Sequence, residues 1–268
     1  MTFDYFDIHS HIHDKEFDGD RDAVLARMRE AKTGTITVGT HLESSKKAVA
    51  LAEKEKDVWA TVGVHPTDTR VTALPHALEA LARHPRAVAI GECGLDYYRG
   101  GTSEEEKLRQ RALFEAQIEL ALALDKPLMV HARPTKGTMD AYHDLIDILY
   151  RYSREAGEKL RGNVHFFAGD LDVAKDLLEL GFTMSFTGVL TFASDYDRVV
   201  QEIPLASLMA ETDSPYATPA PHRGKRNEPM YVKEVAGRIA ALRSEGEKAV
   251  KRALVENARR LFILFALQ

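Results

Sequence analysis

The sequence predicts an α/β protein, a (β/α)8 TIM-type barrel, regular or distorted, on three observations. Eight short β-branched or apolar runs recur along the chain, stretches with helical spacing lie between them, and 268 residues is a common length for one such barrel. The runs are Tyr5 to Ile8, Thr35 to Val38, Trp59 to Val64, Ala87 to Ile90, Pro127 to Val130, Asn163 to Phe166, Thr183 to Phe186 and Leu205 to Ala210. Each is short enough for a strand and apolar enough to be covered on both faces, as parallel sheets are.

Between them, Val24, Met28 and Ala31, then Leu74, Leu78 and Leu81, Phe114, Ile118 and Ala121, and Leu145, Ile146 and Leu149 repeat at the spacing of one helix face. Punctuation follows the same units: Ser44 is placed as a helix N-cap, Pro75 in a first helical turn and Gly181 as a helix stop. An open doubly wound sheet is the competing architecture. No low-complexity tract or Pro/Gly/Ser linker divides the chain, so one domain is expected over residues 1–268. The stretch Thr212 to Glu228, rich in Pro, Ser and basic residues, is longer than most connections, and loops of that length are commonly functional.

Composition narrows the function class. A net charge of -5 argues against a protein that coats long nucleic acid with a basic face. A single cysteine, Cys93, excludes an intramolecular disulfide and a cysteine-rich zinc module, and fits a reducing compartment. With no signal-peptide pattern and no apolar run near the roughly 18 residues of a membrane span, the expected location is the cytoplasm, with no membrane partner and a monomeric state.

In a barrel the active site lies at the C-terminal ends of the strands. His9 and His11 stand at the end of the first run, two residues apart, where side chains share a face. With 11 histidines in the chain, chance supplies such a pair in about one of every two sequences, so its meaning depends on partners. The partners are Glu92 at the end of strand four, His131 at strand five, His165 at strand six and Asp213 after strand eight. Four histidines and two carboxylates exceed the three protein ligands of one catalytic zinc, so two divalent cations are expected. Glu92, central in strand order, is the bridging candidate. His9, His11 and Asp213 fall to one cation, because strands one and eight adjoin in a closed barrel, and His131 and His165 to the other. Such a pair activates water and clamps the oxygens of an in-line displacement, which makes hydrolysis the expected reaction. The ligand types favour zinc or manganese, and the carboxylates also admit magnesium.

These segments resemble the TatD-like metal-dependent deoxyribonuclease family of amidohydrolase-like barrels. The resemblance runs through Asp7-Ile8-His9-Ser10-His11, Gly63-Val64-His65-Pro66, Gly91-Glu92 to Asp96-Tyr97, His131 with Arg133, Val164-His165-Phe166, Glu211-Thr212-Asp213-Ser214-Pro215-Tyr216, Arg223 with Asn227-Glu228-Pro229, and Asn257-Ala258 with Leu261-Phe262. It implies the same six metal ligands and adds His65, Arg133 and Arg223 as contacts for the substrate phosphate. The implied reaction is exonuclease-type cleavage of DNA, with single-stranded or frayed ends favoured by the acidic net charge. Glu92 and Asp213 are the expected catalytic groups, Asp213 by orienting or deprotonating the water. An amide, lactone or aminoacyl-ester hydrolase on the same two cations is the alternative. The phosphotriesterase-like branch typically bridges with a modified lysine where this chain has Glu92.

Two departures from the family pattern stand out. After His11 the usual Leu-Asp is replaced by Ile12-His13, with Asp14 one place later, which makes His13 a rim residue or a third substrate contact. After strand six the usual Ser or Thr is Ala168. Asp7 is either a partner that orients a histidine or a solvated carboxylate, Cys93 a small core residue, and Tyr97 and Tyr98 either packing groups or base-stacking ones.

Overall fold

The computed structural model describes residues 3–262. Eight parallel strands form one sheet in sequence order: β1 Tyr5–Ser10, β2 Thr33–Val38, β3 Val58–Val62, β4 Ala87–Asp96, β5 Leu128–Arg133, β6 Gly162–Val164, β7 Phe182–Phe186 and β8 Leu208–Ala210. Closure is made just beyond β8, where Asp213 N–H donates to the His9 carbonyl and His11 N–H to the Ser214 carbonyl, both at 2.8 Å. Asp7, fully buried, accepts from Thr212 N–H at 2.8 Å and from the Thr212 hydroxyl at 2.7 Å, which pins the same seam. Barrel closure and placement of Asp213 beside His9 and His11 are therefore one event. Asp7 is neither solvated nor bonded to an imidazole.

The helices are α1 Arg21–Glu30, α2 Leu42–Lys54, α3 His76–Ala82, α4 Glu104–Ala123, α5 Asp140–Ala156, α6 Leu171–Glu179, α7 Asp197–Glu202, α8 Val232–Leu242 and α9 Glu247–Phe262. The predicted stop at Gly181 holds, with φ at 79° just past α6. The Ser44 cap does not: His41 caps α2 by accepting Ser44 N–H, and Ser44 lies inside the helix. The main core fills the space between the barrel and its helices, around residues such as Leu25, Phe114, Tyr142 and Val235. A second cluster, including Phe6, Ile8, Trp59 and Met209, is sealed by Val255, Leu261 and Phe262 of α9. That helix closes the N-terminal end of the barrel and leaves the other end for the site.

Strand boundaries differ from expectation where chemistry concentrates. β4 runs on through Glu92 to Asp96 and β5 through His131 to Arg133, so these candidate ligands sit within strands and not at their ends. The extension is irregular, with the β4–β5 register shifting between Ile90 and Cys93. Glycine is required there, because Gly91 and Gly94 have φ of 141° and 129° and a Cβ would fall 2.2 Å from the Met129 carbonyl and 2.1 Å from the His131 carbonyl. The irregular backbone keeps its hydrogen bonds through α4: Gln110 accepts from Asp96 N–H and Gln117 from Val64 N–H, each at 2.8 Å. Two buried glutamines spaced seven apart on one helix face thus hold the segments carrying Asp96 and His65.

Candidate metal centre

The six predicted ligands converge at the C-terminal mouth of the barrel, and Glu92 lies at their centre. Its Oε2 is 3.5 Å from His9 Nε2, while its Oε1 is 2.8 Å from His165 Nε2 and 3.0 Å from His131 Nδ1. His9 and His11 meet through their Nε2 atoms at 3.3 Å, as the i, i+2 spacing predicts. Asp213 Oδ1 stands 3.4 Å from His11 Nε2 and 3.8 Å from His9 Nε2. Two triads with mutually adjacent donor atoms result, His9–His11–Glu92 and Glu92–His131–His165, and they share the one carboxylate. Backbone conformation helps to aim the chain here: Phe166, next to His165, and Asp213 have φ of 46° and 52°, the left-handed region that non-glycine residues seldom occupy.

Two of the outward-facing ring nitrogens are held by other groups. His131 Nε2 lies 3.0 Å from Asp96 Oδ2, and His11 Nδ1 is 3.0 Å from the Val38 carbonyl. His9 and His165 stack with ring centroids 3.8 Å apart, and their Nδ1 atoms are buried without a hydrogen bond. Beside both is Glu211, fully buried, with Oε1 at 3.5 Å from His165 Nδ1 and ring nitrogens of His9 and His165 within the same 4.8 Å cluster. Phe166 N–H and the Ser185 hydroxyl donate to its two oxygens. Such a carboxylate fixes which nitrogen of each ring is free to face a cation.

The charge balance is that of a site built for cations. Burial opposes the charge on Glu92, yet the surrounding histidines His165, His65 and His131 hold its carboxyl well below the usual range. Burial likewise opposes a proton on His11, but Asp213 and Glu92 push it up to about 9. His131 and His165 are raised for the same kind of reason, against burial, by Asp96 and Glu92 and by Glu92 and Glu211 respectively. His9 is lowered by burial and by the charge of His165. Protonated imidazoles packed around carboxylates in a buried pocket, with two orphaned ring nitrogens, are a donor set that divalent cations fit.

The mouth is a cavity of about 800 Å³. His65, Arg133 and Arg223 all line it, and His65 reaches inward to 3.2 Å from Glu92 Oε1, closer to the centre than the resemblance implied. His13 is neither at the rim nor open to substrate: it is 4% exposed, with Nδ1 at 2.7 Å from the Thr37 hydroxyl and Nε2 at 2.8 Å from Ser44. It braces the first loop against β2 and α2. Tyr97 is buried, with its hydroxyl donating to Asp144, whereas Tyr98 is exposed beneath Arg133. Burial raises the Cys93 thiol, as befits a small core residue. Ala168 donates its N–H to the Tyr142 hydroxyl at 2.8 Å.

Two groups of residues escaped the sequence reading. Glu211 and Asp96 lie inside the quoted motifs, two residues before Asp213 and four after Glu92, and that proximity was the available signal. Arg99 and Phe192 reach the mouth from loops, where spacing carries no information, while Tyr216 closes the motif that holds Asp213.

A family model described as TatD related DNase matches residues 6–263. The chain belongs to the TatD-related DNase family. Membership makes it an enzyme of the metal-dependent nuclease type. Among TatD-family relatives, the metal-dependent hydrolase YabD of Bacillus subtilis is 37% identical over 262 residues, covering 96% of this chain and 98% of that protein. The 3'-5' ssDNA/RNA exonuclease TatD of Musicola paradisiaca is 35% identical over 274 residues, covering 97% and 98%. The crystal structure of the TatD homologue YjjV from Escherichia coli superposes with a TM-score of 0.85 at 28% identity, covering 98% of this chain and 99% of that one.

Proposed function

We propose that the chain is one barrel domain that hydrolyses phosphodiester bonds of nucleic acid as an exonuclease, with two divalent cations at its mouth. His9, His11, Asp213 and one oxygen of Glu92 would hold the first cation, and His131, His165 and the other oxygen of Glu92 the second. The observation that carries this reading is the placement of the two Glu92 oxygens, one toward each triad. When bound, divalent cations lower the pKa of water and stabilise charge on phosphoryl oxygens; zinc, manganese and magnesium are the candidates.

The chain's own groups supply the rest. Asp213, whose carboxyl stays below its usual range because His11 and His9 offset its burial, is ionised and positioned to accept a proton from the attacking water. His65, Arg133 and Arg223 line the entrance, where guanidinium groups meet phosphate in bidentate fashion. A mouth ringed by loops and served by few unpaired cations suits single-stranded or frayed ends over long duplex. Relatives named as ssDNA/RNA exonucleases support that choice. We place the protein in the cytoplasm, in keeping with its one buried thiol, and read it as a monomer.

The test is a matrix of metals against substrates on the metal-depleted protein, with Asp213→Ala and Glu92→Ala beside the wild type. Cleavage of a labelled oligonucleotide that returns with a divalent metal and falls at least about 10³-fold in both variants supports the mechanism. Faster turnover of lactones or aminoacyl esters than of any oligonucleotide would overturn it.

A further inference from the structure

The mouth is chemically two-sided. On the side of β4 and β5 stand Arg99, just past β4, and Arg133, which ends β5; neither has a carboxylate partner among the described residues. The β7 and β8 loops carry Phe192 and Tyr216, 49% and 56% exposed, two of the few large hydrophobic side chains that the described residues leave open to solvent. In an eight-stranded barrel β4 lies across from β8, so cationic and aromatic groups face each other over the metal centre. Arg99, Arg133, Phe192 and Tyr216 all line this one cavity.

Each side is built for its own part of a nucleotide. Arg223 lies over the Phe192 ring with its guanidinium carbon 4.1 Å from the centroid, which steadies the ring and leaves it half exposed. The Tyr216 ring stands 6.3 Å from that of His11, so an aromatic face adjoins the candidate ligands themselves. Asp14, whose N–H donates to the His11 carbonyl at 2.9 Å, also lines the mouth and sets a carboxylate in its wall. A strand crossing the mouth is thereby sorted, with anionic backbone drawn to the arginines and apolar base faces to the rings.

We propose that Arg99 and Arg133 form a backbone-binding bank and Phe192 and Tyr216 a base-stacking bank, so that the enzyme takes polynucleotide with an unstacked, unpaired base beside the cleaved bond. The proposal rests on the phosphodiesterase reading above and adds to it which residues recognise a single strand. Bases paired and stacked within a duplex have both faces covered, whereas an unpaired base offers a free face to the aromatic bank, so selection for unpaired ends is built into the mouth.

The experiment uses labelled oligodeoxythymidylates in which one abasic residue replaces each nucleotide near the cleaved bond in turn, on metal-loaded protein. For the wild type, removing the base that sits on the aromatic bank lowers kcat/KM by about 5- to 150-fold, the equivalent of one stacking contact. In Phe192→Ala or Tyr216→Ala the base-bearing substrate is cleaved as slowly as the abasic one, so the penalty shrinks to about twofold or less. Arg99→Ala raises KM for both substrates equally and flattens the salt dependence. Both rings are exposed, and matching thermal unfolding curves for wild type and variants confirm that the fold is retained. A wild type that cleaves the oligonucleotides but ignores abasic replacement at every position overturns the base bank alone, as does an undiminished penalty in both aromatic variants. If the wild type cleaves no oligonucleotide with any metal, the phosphodiesterase reading falls and takes this inference with it.

Discussion

Gly94→Ala should cost the protein stability and metal affinity together, because the same glycine serves the fold and the centre. At φ 129° the new Cβ would stand 2.1 Å from the His131 carbonyl oxygen, so β4 and β5 must part by roughly 1 Å to reach contact distance. Holding a non-glycine residue in this conformation costs about 1–3 kcal/mol and forcing a packed seam apart a similar amount, for a total of about 2–6 kcal/mol. For a chain of this size that is a fall of about 10 °C in melting temperature. Gly137→Ala separates the two contributions, since Gly137 also has positive φ, at 80°, but nothing lies within 4 Å of its added Cβ. It should cost about 1 kcal/mol. Thermal and urea unfolding of both variants measure the difference, and chelator competition reads the displacement of His131 as an affinity loss of about tenfold or more. If Gly94→Ala melts with Gly137→Ala and binds metal like the wild type, the account of the β4 irregularity is wrong.

Other consequences are open to measurement. Glu211→Gln should weaken metal binding about 10- to 100-fold with little change in urea midpoint, because the isosteric amide no longer orients His165 and His9 as an anion does; unchanged affinity in chelator competition would remove Glu211 from the centre. Metal binding by depleted protein at pH 7.5 should release protons, since His11, held near 9 by Asp213 and Glu92 despite its burial, is charged there and must become neutral to ligate. The sign follows: apparent affinity rises with pH and the His11 share of the release fades above about 9, as calorimetry in buffers of different ionisation enthalpy will show. Asn257→Ala, which strips the Leu205 and Leu208 carbonyls of donors at 2.8 Å, should cost about 2–3 kcal/mol while leaving metal affinity intact.

Much of this protein was legible in its residue order. Parallel strands covered on both faces must be written as short apolar runs, and helices over them as 3.6-period stripes, so the eight-fold alternation was visible and the barrel followed. The six candidate ligands were legible for a related reason: the barrel sends C-terminal strand ends to one mouth, and polar residues stand out against apolar strands. The β4 and β5 extensions were not, because Glu92 and His131 interrupt the apolar pattern, and the run that continues past them rests on glycines and on buried glutamines from a distant helix.

What only the tertiary structure decided depends on distance in space without regularity in sequence. Asp7 closes the barrel against Thr212, 205 positions away, and His13 is turned inward by Thr37 and Ser44, against its reading as a rim residue. Glu211 gains a partner in His165 only when β6 and β8 flank β7, and Arg99 and Tyr216 come to line one mouth only because the barrel closes. Periodicity reports which face of an element is buried, and so the sequence by itself determined the fold and pointed to the candidate ligands. Which buried groups touch, and which loops confront each other, is set by closure of the sheet, a property of the whole chain.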